Sequence, residues 1–135
     1  MESEQLFKKA GERLRNASYL LGQFPILRDA KLLASAARSV SEAAESEMTA
    51  VLQREKELMR MPVFPDNFEV RLDLFKGWAA KRNLNQKHSE FIREMKDAMS
   101  QPRGFSPEFV KKAISAGKGL VEAVKNSFSG ETNDA

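Results

Sequence analysis

Apolar residues in this chain recur at intervals of three and four from end to end, and nowhere alternate for long enough to make a convincing strand. That spacing gathers them on one side of a helix, so the chain can bury them only by packing helices together. The expectation is all-α: an up-and-down helical bundle of four to five helices with one long central helix. A chain of 135 residues fits one domain, which at this size buries about two thirds of the surface its unfolded chain exposes. We expect that domain over residues 1–128, with the polar "SGETNDA" of residues 129–135 as a disordered tail.

Local signals place the helices. Ser3 can cap a first helix from Glu4 to Leu21, with Gly22 supplying a left-handed residue after it. Asp29 caps a second, from Ala30 to Arg60, whose inner stripe reads Leu33, Ala37, Val40, Ala44, Met48, Val51, Leu52, Leu58 and Met59. Pro62 and Pro65 interrupt. Asp66 and Glu69 have the spacing of a capping box for a third helix, with Phe68, Leu72, Phe75 and Ala79 inward and Trp78 beside them. Asn85 caps a fourth helix that carries His88, Phe91, Ile92, Met95 and Met99, and Ser106 with Pro107 opens a fifth to Phe128.

The residue inventory narrows the chemistry. With no cysteine and one histidine, thiolate zinc sites, iron-sulfur clusters and disulfides are excluded, and no metal site is expected. Gly117 and Gly119 lie inside a helix rather than after a strand, so neither a phosphate loop nor a dinucleotide fingerprint is present and no cofactor is expected. The N-terminal segment lacks a signal-peptide core, and no stretch approaches the roughly 20 apolar residues of a membrane span. A soluble, cytoplasmic protein with no membrane contact is expected.

The net charge of +3 is unevenly spread. Residues 71–88 carry Arg71, Lys76, Lys81, Arg82 and Lys87 against the single acid Asp73. Such a patch attracts phosphate by releasing counterions, which makes these five bases the candidate nucleic-acid-binding residues.

Within it, "KRNLNQKHSEF" (residues 81–91) sets Arg82 and Asn83 ahead of His88. This arrangement resembles the motif of the HEPN superfamily, in which an arginine and a polar residue precede a histidine. The long alanine-rich helix and the segments "PDNFEVRLDLF" and "SPEF" are similar to a group of archaeal helical proteins associated with that superfamily. The resemblance implies metal-independent RNA cleavage, with His88 exchanging a proton with the ribose hydroxyl or the leaving oxygen. By the same resemblance Arg82 stabilises charge on the phosphate, Asn83 orients the phosphate or the histidine, and a homodimer brings two motifs together. The roles are chemically apt: histidine titrates near neutrality and guanidinium clasps phosphate oxygens.

Each of these residues also has an ordinary reading. Arg82 closes one helix, Asn85 opens the next, and His88 continues the stripe to Phe91 and Ile92. Two functions stand: RNA or nucleotide binding around Arg82 and His88, with or without cleavage, and a protein-interaction or assembly module that docks a partner on the long second helix. The first needs the bases to converge on one exposed surface. The second needs an exposed apolar patch over Leu33 to Leu52.

Overall fold

The two longest N-terminal helices, α1 (Glu2–Leu27) and α2 (Ala30–Glu57), form an antiparallel hairpin. Asn16 donates to Ser39 at 2.9 Å and Arg13 pairs with Glu42 at 3.1 Å, so sequence position rises on one helix as it falls on the other. At its open end the Glu57 carboxylate accepts from the Ser3 backbone N–H at 3.1 Å and from its hydroxyl at 2.6 Å. The C-terminus of α2 thereby caps the N-terminus of α1, a role expected of the Ser3 side chain.

The structure, a computed structural model, describes residues 2–101 and 104–133, with backbone alone for residues 131–133. Beyond the hairpin lie α3 (Phe68–Lys81), α4 (Lys87–Met99) and α5 (Pro107–Asn133). Among the described residues there is no strand, and the fold is an all-α helical bundle.

Helix α2 is its centre and touches each of the other four helices. Its small residues Ala36, Ala37, Ala43, Ala44 and Ala50 are buried and let neighbouring backbones approach closely. Phe75, Leu72, Ile92 and Met48 fill the space between helices, each contributing roughly 1.5–3 kcal/mol by leaving water. Another close approach joins α1 to α5: a Cβ on Gly117 would stand 2.7 Å from Leu14 Cδ2, so any larger residue here requires the Leu14 side chain to shift.

Several boundaries differ from expectation, each for a local reason. Helix α1 runs past Gly22 and through Pro25 to Leu27, and Arg28, not Gly22, takes the left-handed conformation after it (φ 54°). Pro25 falls in the last turn, where one missing backbone bond costs the helix little of its length. Helix α2 ends at Glu57 because Met59 (φ 58°) turns left-handed, sending the Arg60 N–H to the Glu55 carbonyl at 2.9 Å and the Met59 N–H to that of Lys56 at 3.0 Å. Leu58 and Met59 are consequently exposed rather than on the inner stripe.

Asn67, not Asp66, caps α3 by accepting the Val70 N–H at 3.1 Å. Asp66 pairs with Arg71, and Glu69 with Arg93 of α4. Helix α5 continues beyond Phe128 to Asn133, so the segment expected as a disordered tail is helical over 129–133, and 134–135 lie outside the described residues.

Candidate functional site

The arginine of the sequence motif sits at the end of α3, where the chain turns sharply. Leu84 N–H reaches the Ala79 carbonyl at 3.0 Å and Asn83 N–H that of Ala80 at 3.2 Å, closing the helix with Asn83 in the left-handed region (φ 57°). Asparagine tolerates that conformation better than most residues, and Leu84 folds back onto the core. Asn83 is thus occupied as the pivot of the α3 terminus.

Arg82 points back toward α2. Its Nη2 donates to Glu55 Oε1 at 3.0 Å, and its guanidinium lies 4.7 Å over the Trp78 ring. The Glu55 carboxylate is buried at the end of α2 and also accepts from Trp78 Nε1 at 2.8 Å and from Arg60 Nε at 2.7 Å. A buried carboxylate needs partners of this kind, because removing it from water without them is costly. This cluster ties α2, α3 and the 58–67 connection together.

His88 lies elsewhere. Asn85 accepts the Lys87 N–H at 2.9 Å through its side chain and the His88 N–H at 3.2 Å through its carbonyl, so α4 begins at Lys87 with His88 in its first turn. The imidazole is buried against α5, where a Cβ on Gly119 would stand 4.0 Å from His88 Cε1. Desolvation, with Lys87 as a lesser cause, holds its pKa below the usual 6.5, so the ring is neutral at pH 7.

His88 forms part of a groove of about 430 Å³ between α4 and α5, whose polar lining comprises Lys87, Glu90, Glu94, Lys112 and Ser115. Arg82 does not line this groove. The structure therefore gives Arg82 and His88 different surroundings, the first on the Glu55 cluster and the second on α5.

The five bases divide in the same way. Arg71 is mostly covered, donating to Thr49 at 2.9 Å and pairing with Asp66 at 3.5 Å. Arg82 belongs to the Glu55 cluster. Lys76, Lys81 and Lys87 are exposed, and Lys76 lines a smaller groove with Gln86, Ser89 and Arg93 that shares Glu90 and Glu94 with the His88 groove. Among the described residues no group of three or more potential metal ligands converges, and no helix is long and apolar enough to cross a membrane.

No family model, curated protein or solved structure matches this chain. The chemistry of the site rests on its own residues. Lys112 and Gly119, both on α5, complete the groove and carried no signal in sequence, because only the fold brings α5 against the start of α4. Glu55 did carry one: a carboxylate three residues beyond the apolar Leu52 of α2 falls on the buried stripe and demands partners there.

Proposed function

We propose that the protein binds the phosphate groups of RNA or a nucleotide, without cleaving them, in the groove between α4 and α5. The observation that carries this reading is that the groove is lined by the chain's one histidine, in the first turn of α4, together with Lys87 of α4 and Lys112 of α5. A lysine from each of the two helices favours an anion in the groove. Glu90 and Glu94 line the same groove and repel phosphate from the part of α4 beyond its first turn, which favours contact at Lys87 and His88.

Cleavage needs a group beside the histidine to hold the phosphate in the transition state. The resemblance to the HEPN superfamily assigns that work to Arg82, but Arg82 faces Glu55 and Trp78. Binding without catalysis is what the remaining geometry favours. For the assembly reading, Leu33, Ala37, Val40, Ala44, Met48, Val51 and Leu52 are all buried inside the bundle, so nothing on that face of α2 offers a partner an apolar patch.

Fluorescence anisotropy with a labelled single-stranded 12-nucleotide RNA and, separately, labelled ATP tests the proposal. The double charge reversal Lys87→Glu/Lys112→Glu is expected to weaken binding at least tenfold, and affinity is expected to fall steeply with salt. Binding indifferent to both would refute it, and preference for one probe tells RNA from nucleotide.

A further inference from the structure

A cavity of about 510 Å³ opens between the start of α1 and the C-terminal halves of α2 and α5. This is within the range of sites for small organic molecules. Phe7, Val121, Val124 and Phe128 supply apolar walls. Phe7 meets Phe128 edge-on with centroids 6.0 Å apart, and Phe128 in turn lies 5.5 Å from Trp78, so an aromatic surface continues from the cavity into the core.

A buried polar residue interrupts these apolar walls. Glu47 of α2 is only 2 % exposed, and its Oε1 has no hydrogen-bond partner. It is a poor choice for stability, since an apolar residue of similar volume would avoid the cost of a buried, unpartnered oxygen, typically about 1–3 kcal/mol. Among the described residues no ion pair or cap engages Glu47, whereas Glu55 and Glu57 on the same helix each bind groups from other elements.

Among the described residues, the charged groups on the cavity come from all three helices: Glu4 of α1, Arg54 of α2 and Lys125 of α5. Two cations against one carboxylate favour an anion. Glu47 itself does not oppose one, because burial pushes its pKa up to about 8 and leaves it neutral at pH 7. An amine fits less well, as it would meet Arg54 and Lys125 and require Glu47 to ionise in apolar surroundings.

We propose that this cavity is a binding site for a small aromatic anion that carries an N–H or O–H donor. Its rings lie among Phe7, Val121, Val124 and Phe128, its donor reaches the Glu47 carboxyl, and its acidic group pairs with Arg54 and Lys125. Arg54 stands seven residues beyond Glu47, two helical turns or roughly 10 Å along α2, a span that suits a molecule of two or three rings. The site is separate from the α4–α5 groove and does not depend on the phosphate-binding reading.

The test uses 8-anilino-1-naphthalenesulfonate, which has fused rings, an N–H and a sulfonate, beside N-phenyl-1-naphthylamine, which lacks the sulfonate. Both are titrated by fluorescence into the full chain, with circular dichroism confirming the native helix content of every variant. Saturable one-to-one binding of the sulfonate is expected, weakened at least tenfold in Arg54→Ala/Lys125→Ala while the neutral probe changes less than twofold.

Glu47→Gln, which keeps a neutral acceptor, is expected to retain binding within about threefold, and Glu47→Leu to lose about tenfold. Filling the cavity with Val121→Trp is expected to abolish binding of both probes. Ser129→Trp, at an exposed position on the cavity rim, serves the same end should Val121→Trp fail to fold. No saturable binding to the wild-type chain, binding unmoved by either tryptophan, or equal losses of both probes in the Arg54/Lys125 variant would each overturn the proposal.

Discussion

Arg82 Nη2 donates to Glu55 Oε1 at 3.0 Å across the α2–α3 interface, while its guanidinium covers the Trp78 ring. Glu55 is 4 % exposed, and its charge is tolerable there only with partners around it. Arg82→Ala is therefore expected to cost stability, by about 1–3 kcal/mol, since Arg60 and Trp78 remain to satisfy the carboxylate. Glu55→Ala strands those three donors together and is expected to cost more, roughly 3–5 kcal/mol. Urea unfolding followed by circular dichroism measures both. An Arg82→Ala midpoint equal to that of wild type would return Arg82 to the surface, free for a ligand.

Gly117 and Gly119 differ in what surrounds them, and alanine substitution is expected to move stability in opposite directions. Alanine favours a helix over glycine by about 1 kcal/mol at either site. At Gly119 the new methyl meets only His88 Cε1 at 4.0 Å, an ordinary contact, so Gly119→Ala is expected to stabilise by about 0.5–1 kcal/mol. At Gly117 it would lie 2.7 Å from Cδ2 of the buried Leu14, and the overpacking, about 1–3 kcal/mol, outweighs the propensity gain. Thermal melts of the two variants decide it, and a stabilised Gly117→Ala would show that α1 and α5 have room to separate.

The apolar spacing was sufficient for the fold class and the five helices because it reports which residues must leave water, whatever they pack against. Helix ends were less legible. Arg28, Met59 and Asn83 terminate α1, α2 and α3 in the left-handed region, and only Asn83 is of a type that advertises it. The motif was legible as residues but not as geometry: the turn through Asn83 and Leu84 separates the surroundings of Arg82 from those of His88, and no spacing rule encodes which way a guanidinium folds. Glu47 occupies a position on the buried stripe of α2 between Ala44 and Val51. A carboxylate at core spacing was the available sign of the cavity.

Glu47 makes stability depend on pH in a definite sense. Its pKa is raised from 4.5 to about 8 in the folded chain, so between these values the folded state holds a proton that the unfolded state has released. Stability is fully retained below pH 4.5 and is lost progressively as pH rises to about 8. For the full shift the loss is at most on the order of 5 kcal/mol, part of which other groups offset. Glu47→Gln removes the titration, so it is expected to stabilise the chain by about 1–3 kcal/mol at pH 8 and by little at pH 4.5. Urea midpoints of both proteins at the two pH values test this, and a stability difference independent of pH would mean that Glu47 is ionised in the fold.

His88 titrates in the opposite sense and reports on the α4–α5 groove. Its pKa is lowered, chiefly by desolvation and then by Lys87, so protonation is harder in the folded chain than in the unfolded one. Its contribution to stability is present above pH 6.5 and lost as pH falls through the lowered folded value. A phosphate bound in the groove beside Lys87 and His88 favours the imidazolium and moves the pKa back up. NMR titration of the His88 ring protons is expected to show a pKa below 6.5 in the free chain and a higher one with a saturating ATP or RNA probe, with affinity increasing toward pH 5.5. His88→Gln is expected to flatten that pH dependence while leaving binding at pH 8 within about twofold. A ring pKa that does not move when the probe binds would place the phosphate away from His88 and send the search for its site to Lys76 and Arg93, beyond Glu90 and Glu94.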